Sequence, residues 1–308
     1  MAGGAADVVC IVDARAAVAE SPVWCAEEQA LYWTDIYAPS INRYDPITGE
    51  NRAWPVPAPV GCLALREGGG VIAAGQTGFF FLDLESGAES DRPHTRLNDG
   101  RCDRAGRFWA GSMDETLQAP DGALYRFGTD RRCQRMVNGV IVSNGLAFSP
   151  DDRIMYHADT RRFAVYAYDF DLESGAISGK RVFADTAGQE GRPDGAAVDE
   201  EGCYWSARYG GWGVVRHAPD GREIGRIDVP VAACTMVAFG GPDLDRLYIT
   251  TASQRLTEAD RKDQPQAGGL FVADPGVRGL TEPRFAGERE SSGPARRSAR
   301  ALSSIRMR

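Results

Sequence analysis

Lysine is almost missing from this 308-residue chain. Lys180 and Lys262 are the only two, so nearly all of the positive charge is arginine, the mark of a coding bias rather than a functional choice. Basic charge is also the minority sign: 35 Lys and Arg stand against 43 Asp and Glu, a net charge of −8. Such a chain lacks the basic stripe that nucleic-acid binding needs. No run approaches the roughly 18 to 20 apolar residues that span a bilayer. Residues 1–13 lack the basic patch and apolar stretch of a secretory signal. The seven cysteines (Cys10, Cys25, Cys62, Cys102, Cys133, Cys203 and Cys234) are odd in number, scattered and never spaced C-x-x-C. That excludes a zinc knuckle or a disulfide framework and fits small hydrophobes in the strands of a reduced, cytoplasmic protein. The three histidines, His94, His157 and His217, have neither H-E-x-x-H nor facial-triad spacing. There is no G-x-S-x-G elbow and no phosphate loop. Helical periodicity is absent between Val8 and Ala273.

What is present is turn chemistry and short strands. The 36 glycines and 17 prolines together exceed the usual ~12% of a chain. Between them lie runs rich in β-branched and aromatic residues, such as Leu31-Tyr32-Trp33-Thr34, Val71-Ile72-Ala73-Ala74, Arg107-Phe108-Trp109-Ala110 and Leu247-Tyr248-Ile249-Thr250. The chain reads as all-β. The runs recur as a unit: an apolar strand, a turn, an aromatic strand ending in a small or acidic residue (Trp33-Thr34-Asp35, His157-Ala158-Asp159), then a second pair. Six copies predict a six-bladed β-propeller, because a four-stranded blade cannot bury both faces alone and must stack into a closed ring. Residues 8–12 are expected to close that ring by joining the last copy. Residues 1–287 form the propeller in this reading, and the arginine- and serine-rich residues 288–308 a tail outside it. The tryptophans Trp24, Trp33, Trp109 and Trp205 read as packing between blades, Gly68-Gly69-Gly70 as a hairpin turn, and Trp212 as a possible sugar-stacking wall.

In a propeller, polar residues at equivalent points of several blades converge on the central channel. Here those points hold Glu20, Asn98 with Asp99, Asn144 and Asp194, each next to glycine or serine. Asn-Gly and Asp-Gly pairs are most often plain turns. Three of them in phase with the repeat, with Glu20 as a fourth, point instead to an all-oxygen cluster suited to a hard divalent cation.

The segments Ala19-Glu20-Ser21-Pro22-Val23-Trp24, Arg96-Leu97-Asn98-Asp99-Gly100-Arg101-Cys102-Asp103, Ser143-Asn144-Gly145-Leu146-Ala147-Phe148-Ser149 and Arg192-Pro193-Asp194-Gly195 resemble the gluconolactonase/regucalcin (senescence marker protein) family, nearest its bacterial aldonolactonases. The resemblance runs from about Asp13 to Gly287. It implies a central site for one divalent metal (Ca, Zn, Mn or Fe(II)) held by Glu20, Asn144 and Asp194. Arg96 and Asn98 would contact substrate, Asp194 would double as catalytic base, and Asp99 would sit near the metal through water. A further acidic substrate contact falls on Glu115 or leaves Thr116 in its place. The implied activity is hydrolysis of an aldono-1,4- or 1,5-lactone such as glucono-, arabinono- or xylonolactone, with the metal polarising the carbonyl and Asp194 activating water. The alternatives are a non-catalytic regucalcin-like calcium- or metabolite-binding propeller, and an esterase or organophosphate hydrolase on the same scaffold.

Overall fold

The computed structural model describes residues 7–76, 78–82 and 95–287. Nearly every element is a strand, as the alternation and turn chemistry require. The chain opens on β1 (Val9–Val12) and then lays down successive meanders. The first blade is β2 (Ala19–Cys25), β3 (Ala30–Asp35), β4 (Ser40–Tyr44) and β5 (Asn51–Pro55). The second shows three strands among the described residues, β6 (Val60–Leu65), β7 (Val71–Gly75) and β8 (Gly78–Leu82). The third runs β9 (Thr95–Cys102), β10 (Phe108–Asp114), β11 (Gly122–Phe127) and β12 (Cys133–Val140); the fourth runs β13 (Ser143–Phe148), β14 (Ile154–Asp159), β15 (Ala164–Asp171) and β16 (Ala176–Asp185). The fifth is β17 (Arg192–Val198), β18 (Tyr204–Tyr209), β19 (Gly213–His217) and β20 (Glu223–Asp228). The sixth is β21 (Cys234–Gly240), β22 (Arg246–Thr251) and β23 (Leu270–Ala273), completed by β1. Val9 pairs with Val272 and Cys10 with Phe271, so the first strand closes the ring as the repeat anticipated. One short helix, α1 (Glu258–Asp263), interrupts the sixth blade. Among the described residues no helix is long and apolar enough to cross a membrane. Residues 288–308 and His94 lie outside the described residues.

The core is distributed around the ring. Each pair of neighbouring blades encloses its own apolar cluster, from the interface of blades one and two (Tyr32, Ile41, Leu63, Val71) to that of blades six and one (Trp24, Trp33, Tyr248, Leu270). Trp24 stacks on Tyr248 at 5.7 Å, Trp109 meets Phe148 edge-on at 6.1 Å, and Trp205 meets Phe239 at 6.1 Å. Each of these three tryptophans therefore bridges two blades, where a large ring removes the most apolar area from water. Gly69 and Gly70 take φ of 81° and 69° in the β6–β7 turn.

Two blades share a corner built on a buried aspartate. Asp199 accepts the backbone N–H of Glu201 (3.0 Å) and Cys203 (2.8 Å), the Trp205 indole N–H (2.8 Å) and the Arg216 guanidinium (2.6 Å). Asp103 repeats it with the N–H groups of Ala105 (3.0 Å) and Arg107 (3.1 Å), the Arg107 guanidinium (2.7 Å) and the Trp109 indole (2.8 Å). In both cases the tryptophan follows the aspartate by six residues.

His157 is buried on β14 with Nε2 2.7 Å from the Ser143 hydroxyl. Burial holds its pKa down at about 4, against an ordinary value of 6.5. Between those two values the unfolded chain takes up a proton that the folded chain refuses. This contribution is therefore intact above pH 6.5 and is lost as pH falls toward 4, by on the order of 3 kcal/mol over the window. His157→Gln, which cannot titrate, should flatten the dependence of the urea midpoint on pH between 4.5 and 6.5. An unchanged slope would remove His157 from the account of acid sensitivity.

After β23 the chain crosses the ring. Glu200 donates its N–H to Arg278 (2.9 Å), Phe285 donates to Leu65 (2.9 Å), and Ala286 donates to Gly106 (3.0 Å). Glu282 pairs with Arg101. Leu65, Cys102 and Val198 end the innermost strands of three blades, so residues 278–287 form a strap over one end of the channel. The space left beneath the strap is about 30 Å³.

Candidate active site

Every innermost strand carries one extra residue relative to its neighbour, and it lies at the same height in each blade. In β2 the pairing passes from Glu20↔Thr34 to Val23↔Tyr32, three residues against two. β13 shows the same step from Asn144↔Ala158 to Ala147↔Tyr156, and β17 from Pro193↔Arg208 to Ala196↔Ser206. In β9 the bulged residues are Asn98 and Asp99, between Leu97↔Ser112 and Gly100↔Ala110. The Asn-Gly and Asp-Gly pairs are therefore bulges inside strands rather than turns. A bulge breaks the two-residue alternation and re-aims a side chain at the channel. The residue after the bulged side chain adopts a left-handed φ in two blades, Ser21 at 51° and Gly145 at 58°. At Gly145 a Cβ would stand 2.3 Å from the Tyr204 hydroxyl, so glycine is required there by space as well. The bulges of β6 and β21 hold Gly61 and Thr235.

The bulges of β2, β9, β13 and β17 converge on a cavity of about 110 Å³ at the end of the channel opposite the strap. Glu20, Arg96, Asn98, Asn144, Asp194 and Thr235 line it. Asn98 Nδ2 donates to Asn144 Oδ1 (2.9 Å) and to the Ser143 carbonyl (2.9 Å), while Arg96 donates to Asn98 Oδ1. Asn144 Nδ2 donates to Thr160 Oγ1 (2.8 Å), and Thr160 donates on to the Pro193 carbonyl (2.7 Å). The amide of Asn144 is thus fixed from two sides with Oδ1 keeping a free lone pair. Glu20 accepts the Ser21 N–H at 2.9 Å. Asp99 accepts the Leu146 N–H at 2.8 Å, and its other oxygen is buried without a hydrogen-bond partner.

The electrostatics follow from burial. Glu20, Asp99 and Asp194 are 4%, 1% and 6% exposed, so three carboxylates face one another out of water. Burial, then the Asp99 charge, pushes Glu20 up to about 8. Burial, then Glu20 and Asp99, pushes Asp194 well above the usual carboxylate range. Arg96 is the cation that opposes both shifts. Among the described residues no three His, Cys, Asp or Glu side chains come together at metal-binding spacing. Glu20 and Asp194 reach three donors by adding the amide oxygen of Asn144. That set is all oxygen and buried, and neither carboxylate is in an ion pair among the described residues, so it fits a hard divalent cation.

Glu115 is not in the cavity wall, but its carboxylate stands 3.8 Å from Arg96 Nε. Thr116 is turned away, its N–H bonded to Asp114 at 3.0 Å. Trp212 is not a cavity residue; the aromatic side chains in the wall are Tyr37 and Tyr209. The Arg96 guanidinium lies over the Tyr37 ring at 5.6 Å.

Thr160 was not legible as a site residue because it follows its strand rather than opening one. Nor were Asp35 and Asp159, which end β3 and β14. Asp35 accepts the N–H groups of Ala17 (3.0 Å) and Val18 (3.2 Å), fixing the chain before Glu20. Asp159 accepts those of Ile141 (3.0 Å) and Val142 (3.2 Å), fixing the chain before Asn144. Their signal was the acidic residue closing each aromatic strand. Thr160→Val removes the anchor of the Asn144 amide and should weaken divalent-cation affinity roughly tenfold in calorimetry. An unchanged affinity would reduce Thr160 to a packing role.

The pattern of the SMP-30/Gluconolactonase/LRE-like region matches residues 18–253. The chain is 42% identical to a 6-deoxy-6-sulfogluconolactonase of Pseudomonas putida, with 90% of this chain and 98% of that protein covered. It is 36% identical to an L-arabinolactonase of Azospirillum brasilense, covering 90% and 95%. A solved structure described as a calcium-binding protein, regucalcin, from Agrobacterium tumefaciens superposes with a TM-score of 0.85 at 27% identity, covering 92% and 97%.

Proposed function

Because the chain belongs to the SMP-30/Gluconolactonase/LRE-like family, we propose that it is a metal-dependent sugar lactonase, opening an aldono-1,4- or 1,5-lactone to the aldonic acid. The observation that carries this reading is the convergence of Glu20, Asn144 and Asp194 with Arg96 and Asn98 on one cavity. The names of the sulfogluconolactonase and arabinolactonase relatives support the lactone class.

In this reading Glu20, Asn144 and Asp194 hold the cation, one of Ca²⁺, Zn²⁺, Mn²⁺ or Fe²⁺. When bound, the ion supplies Lewis acidity toward the lactone carbonyl. Asp194 takes a proton from the attacking water as the water oxygen bonds to the carbonyl carbon. The ring C–O bond then breaks and the proton passes from Asp194 to the departing ring oxygen, leaving a hydroxy acid. Arg96 and Asn98 orient sugar hydroxyls, and Glu115 holds Arg96 from outside. All seven cysteines are free, which supports a cytoplasmic location.

The test is acid release from gluconolactone, arabinonolactone and xylonolactone by chelator-treated protein, before and after each of the four ions is restored. Turnover that returns with one ion supports the reading. The calcium-binding description of the Agrobacterium relative favours a second reading, cation binding without turnover. That reading wins if calorimetry detects the ion and no lactone is opened.

A further inference from the structure

The cavity wall carries charge that hydrolysis alone does not use. Arg161, Arg192 and Arg255 line it from three different blades. Arg161 sits in the short 3-10 turn after β14, Arg192 opens β17, and Arg255 lies in the loop after β22. Among the described residues none of these guanidiniums donates a hydrogen bond or forms an ion pair. The neighbouring Arg162 shows the contrast, pairing with Asp159 at 2.8 Å. Arg192 lies over the Phe163 ring at 5.1 Å, a contact with its face that leaves its edge donors free. Arg192 is half-buried, and the nearby Arg161 charge further disfavours its own.

Arg255 is held in the left-handed region at φ 68°, which costs a non-glycine residue roughly 1 to 2 kcal/mol. Its loop is pinned by the Gln254 N–H on the Ala17 carbonyl at 2.9 Å. Glu20 and Asp194 lie in the same wall, yet among the described residues neither pairs with any of these three guanidiniums.

We infer that Arg161, Arg192 and Arg255 form an oxyanion subsite, and that the substrate carries a sulfonate or phosphate on the carbon farthest from the lactone carbonyl. The inference rests on the lactonase reading for the identity of the rest of the substrate. Arg192 stands two residues before Asp194, roughly 7 Å along an extended strand. The carbonyl carbon and the terminal carbon of a 1,5-hexonolactone are closer together than this, and the oxygens of a sulfonate or phosphate on that carbon extend the reach toward it. Planar guanidiniums match the spaced oxygens of either anion, and bonds to charged groups are the strong ones.

The test compares kcat/KM for glucono-1,5-lactone, its 6-phosphate and its 6-deoxy-6-sulfo analogue, using the wild-type protein, Arg192→Gln and the Arg161→Gln/Arg255→Gln double variant. The wild type should prefer one charged lactone by at least about tenfold, and each variant should cut that preference severalfold or more. The anion with the larger preference distinguishes phosphate from sulfonate. Calorimetry of 6-phosphogluconate, 6-deoxy-6-sulfogluconate and gluconate on chelator-treated protein reads the subsite without turnover. Tighter binding of a charged acid, lost in Arg192→Gln, upholds the subsite even if no lactone is opened, in which case the hydrolytic reading alone fails. Equal use of charged and neutral lactones, with the variants changing both alike, overturns the subsite while hydrolysis stands.

Discussion

Asp194→Asn should lower lactone kcat/KM by about a thousandfold or more, equivalent to ~4 kcal/mol of transition-state stabilisation. The substitution keeps the shape of the side chain and an oxygen toward the cation, but an amide cannot accept the proton of the attacking water. The same change should not harm the fold. Asp194 is 6% exposed and faces Glu20 and Asp99, so burial and like charge disfavour its ionised form despite Arg96. After treatment with chelator, the variant should therefore melt at or above the temperature of the wild type. That pairing of lost activity with kept or gained stability is the signature of a strained functional group. A variant retaining more than a tenth of wild-type kcat/KM would rule Asp194 out as the base. A variant that melts well below the wild type would show that its role is structural.

The largest stability effect is expected far from the cavity. Asp199→Ala strips one acceptor from two backbone N–H groups, an indole and a guanidinium at once. Asp199 is fully buried, so the two backbone N–H groups and the indole lose their acceptor, and Arg216 keeps only Glu201. Breaking a buried charge pair by removing one side costs roughly 3 to 5 kcal/mol. For a ring of this size that corresponds to a fall in melting temperature of roughly 6 to 10 °C. Asp103→Ala should repeat the effect, since the same three kinds of donor converge on it. Asp199→Asn, which keeps an acceptor but no charge, should fall between. A melting point within 2 °C of wild type for both alanine variants would mean that the corners are not structural keystones.

These corners illustrate how far the sequence could be read. The repeat was legible because each blade must alternate apolar residues in two strands and turn between them, and because Trp24, Trp109 and Trp205 recur where one blade meets the next. Closure by β1 was legible because a ring leaves its last sheet one strand short. The residues Glu20, Asn98, Asn144 and Asp194 were legible only by their shared phase. Their dipeptides imitate turns, and nothing local reveals that the extra residue is absorbed inside a strand. Arg161, Arg192 and Arg255 were not legible as a group, because two of them sit in connections whose lengths vary from blade to blade. The strap of residues 278–287 has no period at all. Its course depends on carbonyl and amide groups of Leu65, Gly106 and Glu200, which no side-chain pattern announces.

The strap also bears on the order of events in turnover. With Glu282 paired to Arg101 and its backbone bonded at Leu65, Gly106 and Glu200, the strap covers the end of the channel away from the cavity. Under the proposed reading, lactone and acid use the same open mouth of the cavity. Lactone and acid then occupy the same residues, so release of the acid precedes the next arrival. Inhibition by the accumulated aldonate is accordingly expected to be competitive, raising KM and leaving kcat untouched.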